Sequence, residues 1–403
     1  MNNSVKQGSQ GYSYLMMIGH ICTDMSQAAL PALLPFLVAQ RGIDYASAAG
    51  LLFASSFLSS LVQPVLGVIS DRKAMPWLMT LGMLISGVGI AFIGFVDNYW
   101  AMFGLVTFAG LGSAMFHPEG GRMANCVAGE HKGRSVGIFS AGGNIGFIVG
   151  PIMATAAVSV WGIKGGAIII LPVIAISLVF LFQQKKFLQF SSAMTDEERK
   201  LNADNGQKDD WPAFFKLCIS LFARSIIHSG LQAFIPLYWV GVLIQTQERG
   251  SMMVTVMAIA ATIATLISGR LADRFGFRRV ICTSFGVIFP LLILTLLTKS
   301  VMVATVFVIF LSAAVNFAYT PSVALGQKYL PNRLGLASGI TMGLTVSIGG
   351  IFSPMLGKIG DIHGLPTAMY VLSGIALIGF LGTLLIKEPN RPVQSVMIQP
   401  ENI

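Results

Sequence analysis

Four ionisable side chains lie in otherwise apolar stretches of the chain, as two pairs with the same spacing. His20 precedes Asp24 by four positions, and Arg224 precedes His228 by four. Residues four apart in an α-helix share one face, about 5–6 Å apart. A buried carboxylate beside a histidine can exchange protons, and a guanidinium suits a phosphonate or carboxylate. The pairs therefore indicate proton exchange at Asp24 and His20, and anion binding at Arg224 and His228.

A third cluster, Phe116-His117-Pro118-Glu119, lies near the end of another apolar stretch. Because proline removes a backbone hydrogen bond, Pro118 predicts a helix break that leaves His117 and Glu119 beside exposed carbonyls. We expect His117 to bind substrate and Glu119 to act as a further proton carrier. The competing interpretation is that these side chains only pack or cluster at a helix end.

We expect these groups to surround one cavity in which Asp24 faces Arg224 and alternates between a proton and the guanidinium, while an anionic substrate competes for Arg224. Candidates for an apolar wall of this cavity, unless they only pack, are Phe53, Phe139, Tyr238 and Trp239.

The elements that carry these groups are membrane-spanning helices. The 403 residues are 54% hydrophobic and only 11% charged, against about 25% charged in soluble proteins. This composition excludes a soluble or disordered chain, and four scattered cysteines without a CxxC pair exclude a disulfide scaffold. Stretches of about 20 apolar residues predict twelve transmembrane helices at 13–40, 46–69, 76–96, 99–121, 134–160, 165–183, 213–242, 251–270, 279–298, 301–326, 335–359 and 365–386.

One long polar segment divides these helices into two sets of six. Residues 184–212 hold eleven of the 43 charged side chains. We therefore predict an all-α membrane protein with two pseudo-symmetric six-helix bundles. The N-terminal bundle covers 1–183, a cytoplasmic linker 184–212, and the C-terminal bundle with a short tail 213–403.

The distribution of basic residues predicts the orientation. With the N-terminus inside, twenty of the 26 lysines and arginines fall on the inner side and five in outer loops, at Arg41, Lys164, Arg249, Lys299 and Lys358. Lys and Arg accumulate in cytoplasmic loops, so we predict a multi-pass protein of the bacterial inner membrane with both termini in the cytoplasm. The same bias explains the net charge of +9 without a nucleic-acid partner. The first stretch is too long for a cleavable signal.

Two loops 202 positions apart repeat a glycine-spaced Asp-Arg turn. This repeat is the first of the motifs that indicate a family. The residues that we expect to control conformation are Gly67, Asp71 and Arg72 in the first loop and Gly269, Asp273, Arg274, Gly276 and Arg278 in the second. The pattern resembles the signature loop of the major facilitator superfamily, G-x-x-x-D-R/K-x-G-R/K-R/K. The first copy departs from it, with Ala74 at the second glycine. We expect each Asp to lie against a helix N-terminus, where negative charge is favoured.

The fifth predicted span carries a second signature, G-x8-G-x3-G-P, at Gly137, Gly146, Gly150 and Pro151. It resembles a motif of proton-coupled exporters in this superfamily. Small residues allow close helix packing, and packing alone is the other interpretation. The arginine that drug exporters carry in their fourth span is absent, because Val106 occupies its place. Proton coupling must then use other groups.

Four shorter patterns narrow the resemblance: H-x-x-x-D in the first span, D-x3-M-P-W after the second, F-H-P-E in the fourth and G-G-N-x-G in the fifth. Together they are similar to the fosmidomycin resistance protein group. The resemblance implies a monomeric exporter of small anionic or drug-like compounds, driven by protons and using no cofactor or metal. The alternative is proton-coupled uptake of a small organic anion or sugar. An enzyme is disfavoured, because HExxH, GxSxG and Gly-Lys phosphate loops are missing.

Overall fold

The computed structural model describes residues 3–72, 74–127, 132–192, 209–330, 337, 340–341 and 345–388. Within these ranges the chain is helical and contains no strand. The α-helices in chain order are α1 Asn3–Arg41, α2 Tyr45–Arg72, α3 Trp77–Ala91, α4 Tyr99–Cys126, α5 Lys132–Trp161, α6 Ile170–Ser192, α7 Trp211–Gly241, α8 Gln247–Phe275, α9 Phe277–Leu297, α10 Val301–Phe317, α11 Tyr319–Tyr329, α12 Thr345–His363 and α13 Leu365–Leu384. Short 3-10 segments at Ile93–Phe95 and Ile163–Ile169 follow α3 and precede α6.

Eleven segments of the described chain are long and apolar enough to cross a membrane, where the sequence predicts twelve. The remaining predicted span, 335–359, is described only in part, as α12. The tenth span consists of α10 and α11. The all-α membrane fold is therefore confirmed. Helix α6 continues to Ser192, and the linker residues 193–208 and the tail from 389 lie outside the described residues.

The helices form two bundles with matching internal contacts. In the first half α1 packs against α5, and α4 packs against α2 and α3; in the second half α7 packs against α12, and α10 against α8 and α9. These pairs occupy equivalent places in the repeat. The halves meet where α2 contacts α12 and where α5 contacts α8. Since the repeat exchanges these two contacts, the halves are related by a pseudo-two-fold axis.

Proline affects the two halves differently. Helix α4 runs unbroken from Tyr99 to Cys126 with Pro118 inside it, so the helix break predicted at Pro118 is wrong. Membrane helices tolerate proline because nearby groups satisfy the freed backbone carbonyl. In the second half the tenth span is interrupted at Ala318, and the equivalent Pro321 lies in the first turn of α11.

The halves are joined at one end of the bundle. We call the membrane face at which α1 begins the N-face, and the other face the far face. At the far face Asp361 of α12 accepts hydrogen bonds from the amides of Tyr45 (2.8 Å) and Ala46 (3.1 Å), the first residues of α2. Thr155 of α5 is hydrogen-bonded to Ser251 of α8. The described conformation is therefore closed at the far face.

A second carboxylate caps the same helix end from within its own half. Asp44 accepts a hydrogen bond of 2.7 Å from the amide of Ser47. Hydrogen bonding from Ser47 holds the pKa of the Asp44 carboxyl below its usual value, so this cap stays charged at neutral pH. Asp44 thus caps α2 from within the same half, whereas the cap by Asp361 also joins the two halves.

We expect Asp361→Asn to favour conformations that are open at the far face. A helix cap contributes about 1 kcal/mol, and Asp361 is exposed, so the population should shift by up to about fivefold. The measurement is the labelling rate of a cysteine introduced at Ser251. The matched control is Asp44→Asn, which removes a cap without touching the other half. Equal labelling of the Ser251→Cys protein with and without Asp361→Asn would contradict this assignment.

Candidate functional site

Asp24 lies between two histidines from different helices. Its Oδ2 is 3.1 Å from Nε2 of His20, one turn earlier in α1, and its Oδ1 is 2.9 Å from Nε2 of His117 in α4. Asp24 is only 4% exposed. The contact expected between His20 and Asp24 is present. His117, expected at the substrate, instead completes what we call the His–Asp–His unit: His20, Asp24 and His117.

Backbone carbonyls hold the outer sides of both imidazole rings. Nδ1 of His20 lies 2.8 Å from the carbonyl oxygen of Phe139, and Nδ1 of His117 lies 2.9 Å from that of Ser113. The Phe139 ring also stacks on His20 at a centroid distance of 4.1 Å. Because the rings are fixed from outside, their Nε2 atoms are directed at Asp24.

Glycines of α5 let this helix approach α1 at the His–Asp–His unit. A Cβ on Gly143 would lie 2.7 Å from Oδ2 of Asp24 and 2.8 Å from Cε1 of His20, closer than real contacts allow. A Cβ on Gly146 would lie 2.7 Å from the carbonyl oxygen of Ile21, and Gly150 likewise abuts the α1 backbone. A Cβ on Gly137 would meet nothing within 4 Å. In this conformation the close packing thus involves Gly143, Gly146 and Gly150 but not Gly137.

Gly143→Ala should therefore abolish the transport that the sequence resemblance implies, while the protein remains inserted. The added methyl group would occupy the space of the Asp24 and His20 side chains and separate their contact, since a tightly packed site has no free volume. Transport in vesicles and protein abundance are measured together. Gly137→Ala is the matched control in the same helix and should transport normally. Normal transport by Gly143→Ala would show that the close approach is not needed.

Arg224 occupies the equivalent place in the second half. Its Nε donates to the carbonyl oxygen of Val315 (2.9 Å), its Nη2 donates to Oδ1 of Asn316 (3.1 Å), and its guanidinium lies 4.3 Å above the Tyr319 ring centroid. Arg224 is 7% exposed. In the described ranges no carboxylate forms an ion pair with it. A buried cation without a counter-ion is costly, so this site is suited to an anionic ligand.

The surroundings of the two sites correspond through the repeat. Ser113 beside His117 and Asn316 beside Arg224 are 203 positions apart. Phe116 and Tyr319 are also 203 positions apart in the sequence. The Phe116 ring centroid is 6.0 Å from that of His20, and the Tyr319 ring lies below Arg224. Each half thus holds an ionisable group of its first helix against its fourth span. One half carries a group that can exchange protons, and the other carries a permanent cation.

A cavity of about 330 Å³ lies between the halves, and a histidine from each half lines it. Its other polar lining residues are Gln27, Ser55, Ser56, Ser59, Ser60, Gln63, Ser113, Ser229, Gln232 and Ser353. The two histidines are His117 and His228, and Arg224 lies one turn behind His228. Of the aromatic side chains, Phe147 lines the cavity, and none of the four proposed for its apolar wall does.

Sequence reasoning missed the polar face of α2 in this cavity. Ser55, Ser59 and Gln63 follow at intervals of four, which places them on one helix face. A polar stripe with this period in an apolar span was the available signal. It gives the cavity hydrogen-bonding groups without charge.

Glu119 lies in a separate network near the N-face. Its fully buried carboxylate pairs with Arg122, accepts a hydrogen bond from the Ser70 hydroxyl, and accepts another from the Met75 amide at 3.3 Å. These contacts tie α4 to the end of α2 and to the loop before α3. Its predicted role as a proton carrier stays a prediction.

The signature loops are described unequally. The side chains of Asp71 and Arg72 lie outside the described residues. A Cβ added to Gly67 would lie 3.8 Å from Pro118, and a Cβ added to Gly269 would lie 3.8 Å from Thr320, so both glycines are in ordinary packing contact. Exposed side chains in the second loop are those of Asp273, Arg274 and Arg278.

Glu388 caps the helix that follows the second loop. Its carboxylate accepts hydrogen bonds from the amides of Phe277 (2.9 Å) and Arg278 (2.8 Å), at the N-terminus of α9. Gly276 ends α8 with φ +95°, a conformation that favours glycine. In this conformation the N-terminus of α9 is thus capped by Glu388. Asp273, which we expected to lie against a helix N-terminus, does not form this cap.

The donor atoms of the His–Asp–His unit lie within 4.8 Å of one another, a spacing that metal sites also show. In a metal site all ligands point at one centre. Here each Nε2 meets a different carboxylate oxygen at hydrogen-bond distance. The geometry favours protons over a metal ion.

Two pseudo-symmetric six-helix bundles around one central cavity define a membrane transporter. A family model for the Major Facilitator Superfamily matches residues 16–354 and 217–399. The chain belongs to this superfamily, whose members carry small molecules across membranes and are not enzymes.

Curated relatives cover nearly the whole chain. An uncharacterized MFS-type transporter, YfnC, of Bacillus subtilis is 30% identical over 94% of both chains. The fosmidomycin resistance protein of Escherichia coli is 24% identical over 90% of both chains. A bacterial homolog of the human lysosomal transporter Spinster, solved in an inward-facing and occupied conformation, has a TM-score of 0.76 at 13% identity, covering 94% of this chain and 96% of that one. The last likeness concerns the fold.

Proposed function

We propose that the protein is a proton-antiport exporter of small anionic or drug-like compounds, with fosmidomycin as the first candidate. It works as a monomer by alternating access, with its N-face in the cytoplasm of a bacterial inner membrane. The observation that carries this proposal is the pairing of the His–Asp–His unit with the buried Arg224 at equivalent places beside one cavity. One site offers proton exchange and the other a fixed positive charge.

Two further observations support the proposal. The fosmidomycin resistance protein is a relative over 90% of the chain, and the sequence patterns of four spans and loops are similar to that group. The excess of basic residues in loops on the side of the N-terminus agrees with a cytoplasmic N-face. The far face, which is closed here, would then be periplasmic.

The coupling differs from a direct exchange between Asp24 and Arg224. In the described conformation Asp24 is engaged by two histidines, and Arg224 by Val315 and Asn316. We infer that an anion in the cavity replaces the oxygen ligands of Arg224, while protons leave the His–Asp–His unit toward the N-face. The two events would meet through His117 and His228, which face the same cavity from opposite halves.

Proton-coupled uptake of a small organic anion or sugar is the second candidate. One observation favours it: His117 of the His–Asp–His unit lines the cavity, and an imidazolium there would attract an anion rather than repel it. Charge attraction promotes movement of protons and anion in the same direction. Export by antiport instead requires that one conformation binds the protons and the other binds the anion.

Purified protein in proteoliposomes separates these candidates. With internal and external fosmidomycin equal, an imposed proton gradient should drive the compound against the direction of proton flow if antiport is correct. Movement in the same direction would establish uptake. Susceptibility of cells with and without the protein, tested against a panel of compounds that includes fosmidomycin, provides the substrate range.

A further inference from the structure

We propose that the His–Asp–His unit is a single carrier that holds two protons, so that each transport cycle moves two protons. This inference rests on the proposed function and adds the number of protons to it. It also reassigns His117 from a substrate ligand to a proton carrier.

The outer ring nitrogens determine which atoms can exchange protons. Nδ1 of His20 faces the Phe139 carbonyl oxygen, and Nδ1 of His117 faces that of Ser113. The Ser113 hydroxyl oxygen, also 2.9 Å from Nδ1 of His117, can accept the same hydrogen. Because a carbonyl oxygen only accepts hydrogen bonds, each Nδ1 carries a hydrogen. The remaining nitrogen of each ring, Nε2, is the atom that gains or loses a proton.

Each inner contact then requires a proton of its own. Nε2 of His20 lies 3.1 Å from Oδ2 of Asp24, and Nε2 of His117 lies 2.9 Å from Oδ1. Without a proton, the nitrogen lone pair would face a carboxylate oxygen at hydrogen-bond distance, which is repulsive. Because the contacts use different oxygens, one proton cannot serve both. The described arrangement is therefore the doubly protonated state, a carboxylate between two imidazolium rings.

Proton loss begins at His117, the member of the His–Asp–His unit that lines the cavity. The side chain of His117 is 24% exposed, against 11% for His20 and 6% for Asp24. Deprotonation makes the contact between His117 and Asp24 repulsive and releases the imidazole toward the cavity that it lines. Groups this close are coupled, so their two protons leave in two steps that belong to the unit and not to either ring alone.

The neighbouring helices supply few other charges. Helix α5 contributes the Phe139 carbonyl and Gly143, and α4 contributes His117. On α7, His228 lines the cavity, with Arg224 behind it. Within the described ranges, the ion pairs of Asp24 are those with His20 and His117.

Nitrogen NMR tests the proton count without transport. The chain has five histidines, so histidine-labelled protein in lipid nanodiscs can be assigned by single substitutions. His20 and His117 should both be imidazolium at low pH and lose their Nε2 protons in a joint transition of two coupled steps, keeping Nδ1 protonated. Asp24→Asn should remove this joint transition. If either ring stays neutral at the lowest pH at which the protein remains folded, the two-proton assignment is overturned.

The reversal potential in proteoliposomes tests the stoichiometry, with fosmidomycin as the probe. The ratio of protons to substrate should be two, and His117→Gln should reduce it to one, because the amide can donate to Asp24 but does not titrate. His363→Gln changes an exposed histidine of α12; it is the control and should keep two. A ratio of one in the unaltered protein would refute this inference alone, whereas gradient-independent flux would refute the proposed function.

Discussion

Asp24→Asn is expected to lower gradient-driven transport by about 100-fold or more, the scale on which a positioned proton-transfer group contributes. The amide has the size of the carboxylate and can still contact His20 and His117, but it lacks the negative charge that holds the two protons on these rings. Substrate binding and downhill exchange should persist. Proton-driven flux and equilibrium binding of fosmidomycin are therefore measured on the same preparation.

Glu119→Gln is the informative comparison for Asp24→Asn. It changes a carboxylate of the same helix bundle that is paired with Arg122 and bonded to Ser70. From these contacts we expect less protein in the membrane, with the remaining protein still driven by protons. Full gradient-driven transport by Asp24→Asn would remove Asp24 from the mechanism and leave Glu119 as the carrier.

Arg224→Gln should weaken binding of an anionic substrate by about 10- to 100-fold, because hydrogen bonds to charged groups contribute about 1.5–3 kcal/mol. Glutamine retains donors but has no charge. The variant is expected to fold, since it removes a buried cation that has no carboxylate partner among the described ion pairs. Equilibrium binding of fosmidomycin is the measurement, ahead of any flux assay.

Two controls bracket this result. Lys216→Gln removes an exposed cation from the same helix and should bind normally. Arg224→Lys keeps the charge but loses the planar fork and the stacking on Tyr319, so its affinity should be intermediate. Unchanged affinity in Arg224→Gln would show that the substrate's charge is recognised elsewhere.

Local spacing predicted the helices and one contact of the site correctly. Apolar runs of about 20 residues gave the all-α membrane fold, and four-residue spacing gave the contact between His20 and Asp24. The similar offsets between the halves, 202 for the signature loops and 204 for the ionisable pairs, predicted equivalent sites. An offset of 203 relates Ser113 and Asn316, which contact these sites from the fourth and tenth spans.

Contacts between distant helices could not be predicted in this way. His117 is 93 positions from Asp24, and its approach depends on the rotation of α4 about its axis, which an almost uniformly apolar helix does not reveal. The break predicted at Pro118 was wrong because it assumed that the hydrogen bond lost to proline breaks a helix. In a membrane helix, nearby groups satisfy the freed carbonyl. The predicted opposition of Asp24 and Arg224 stays a prediction. No ion pair joins them among the described residues, and a sequence does not show how deep in a cavity a side chain lies.

The glycine contact of α5 with α1 has a mechanical consequence. The His–Asp–His unit is built from α1 and α4 of a single half, and Gly143, Gly146 and Gly150 bring α5 against α1. These parts would move as one rigid body when the halves rock. As long as both protons are bound, the geometry of the unit is then the same in every orientation of the transporter. Its affinity for protons must therefore be altered by hydration and by the electric field of the opposite half, rather than by rearrangement of its ligands.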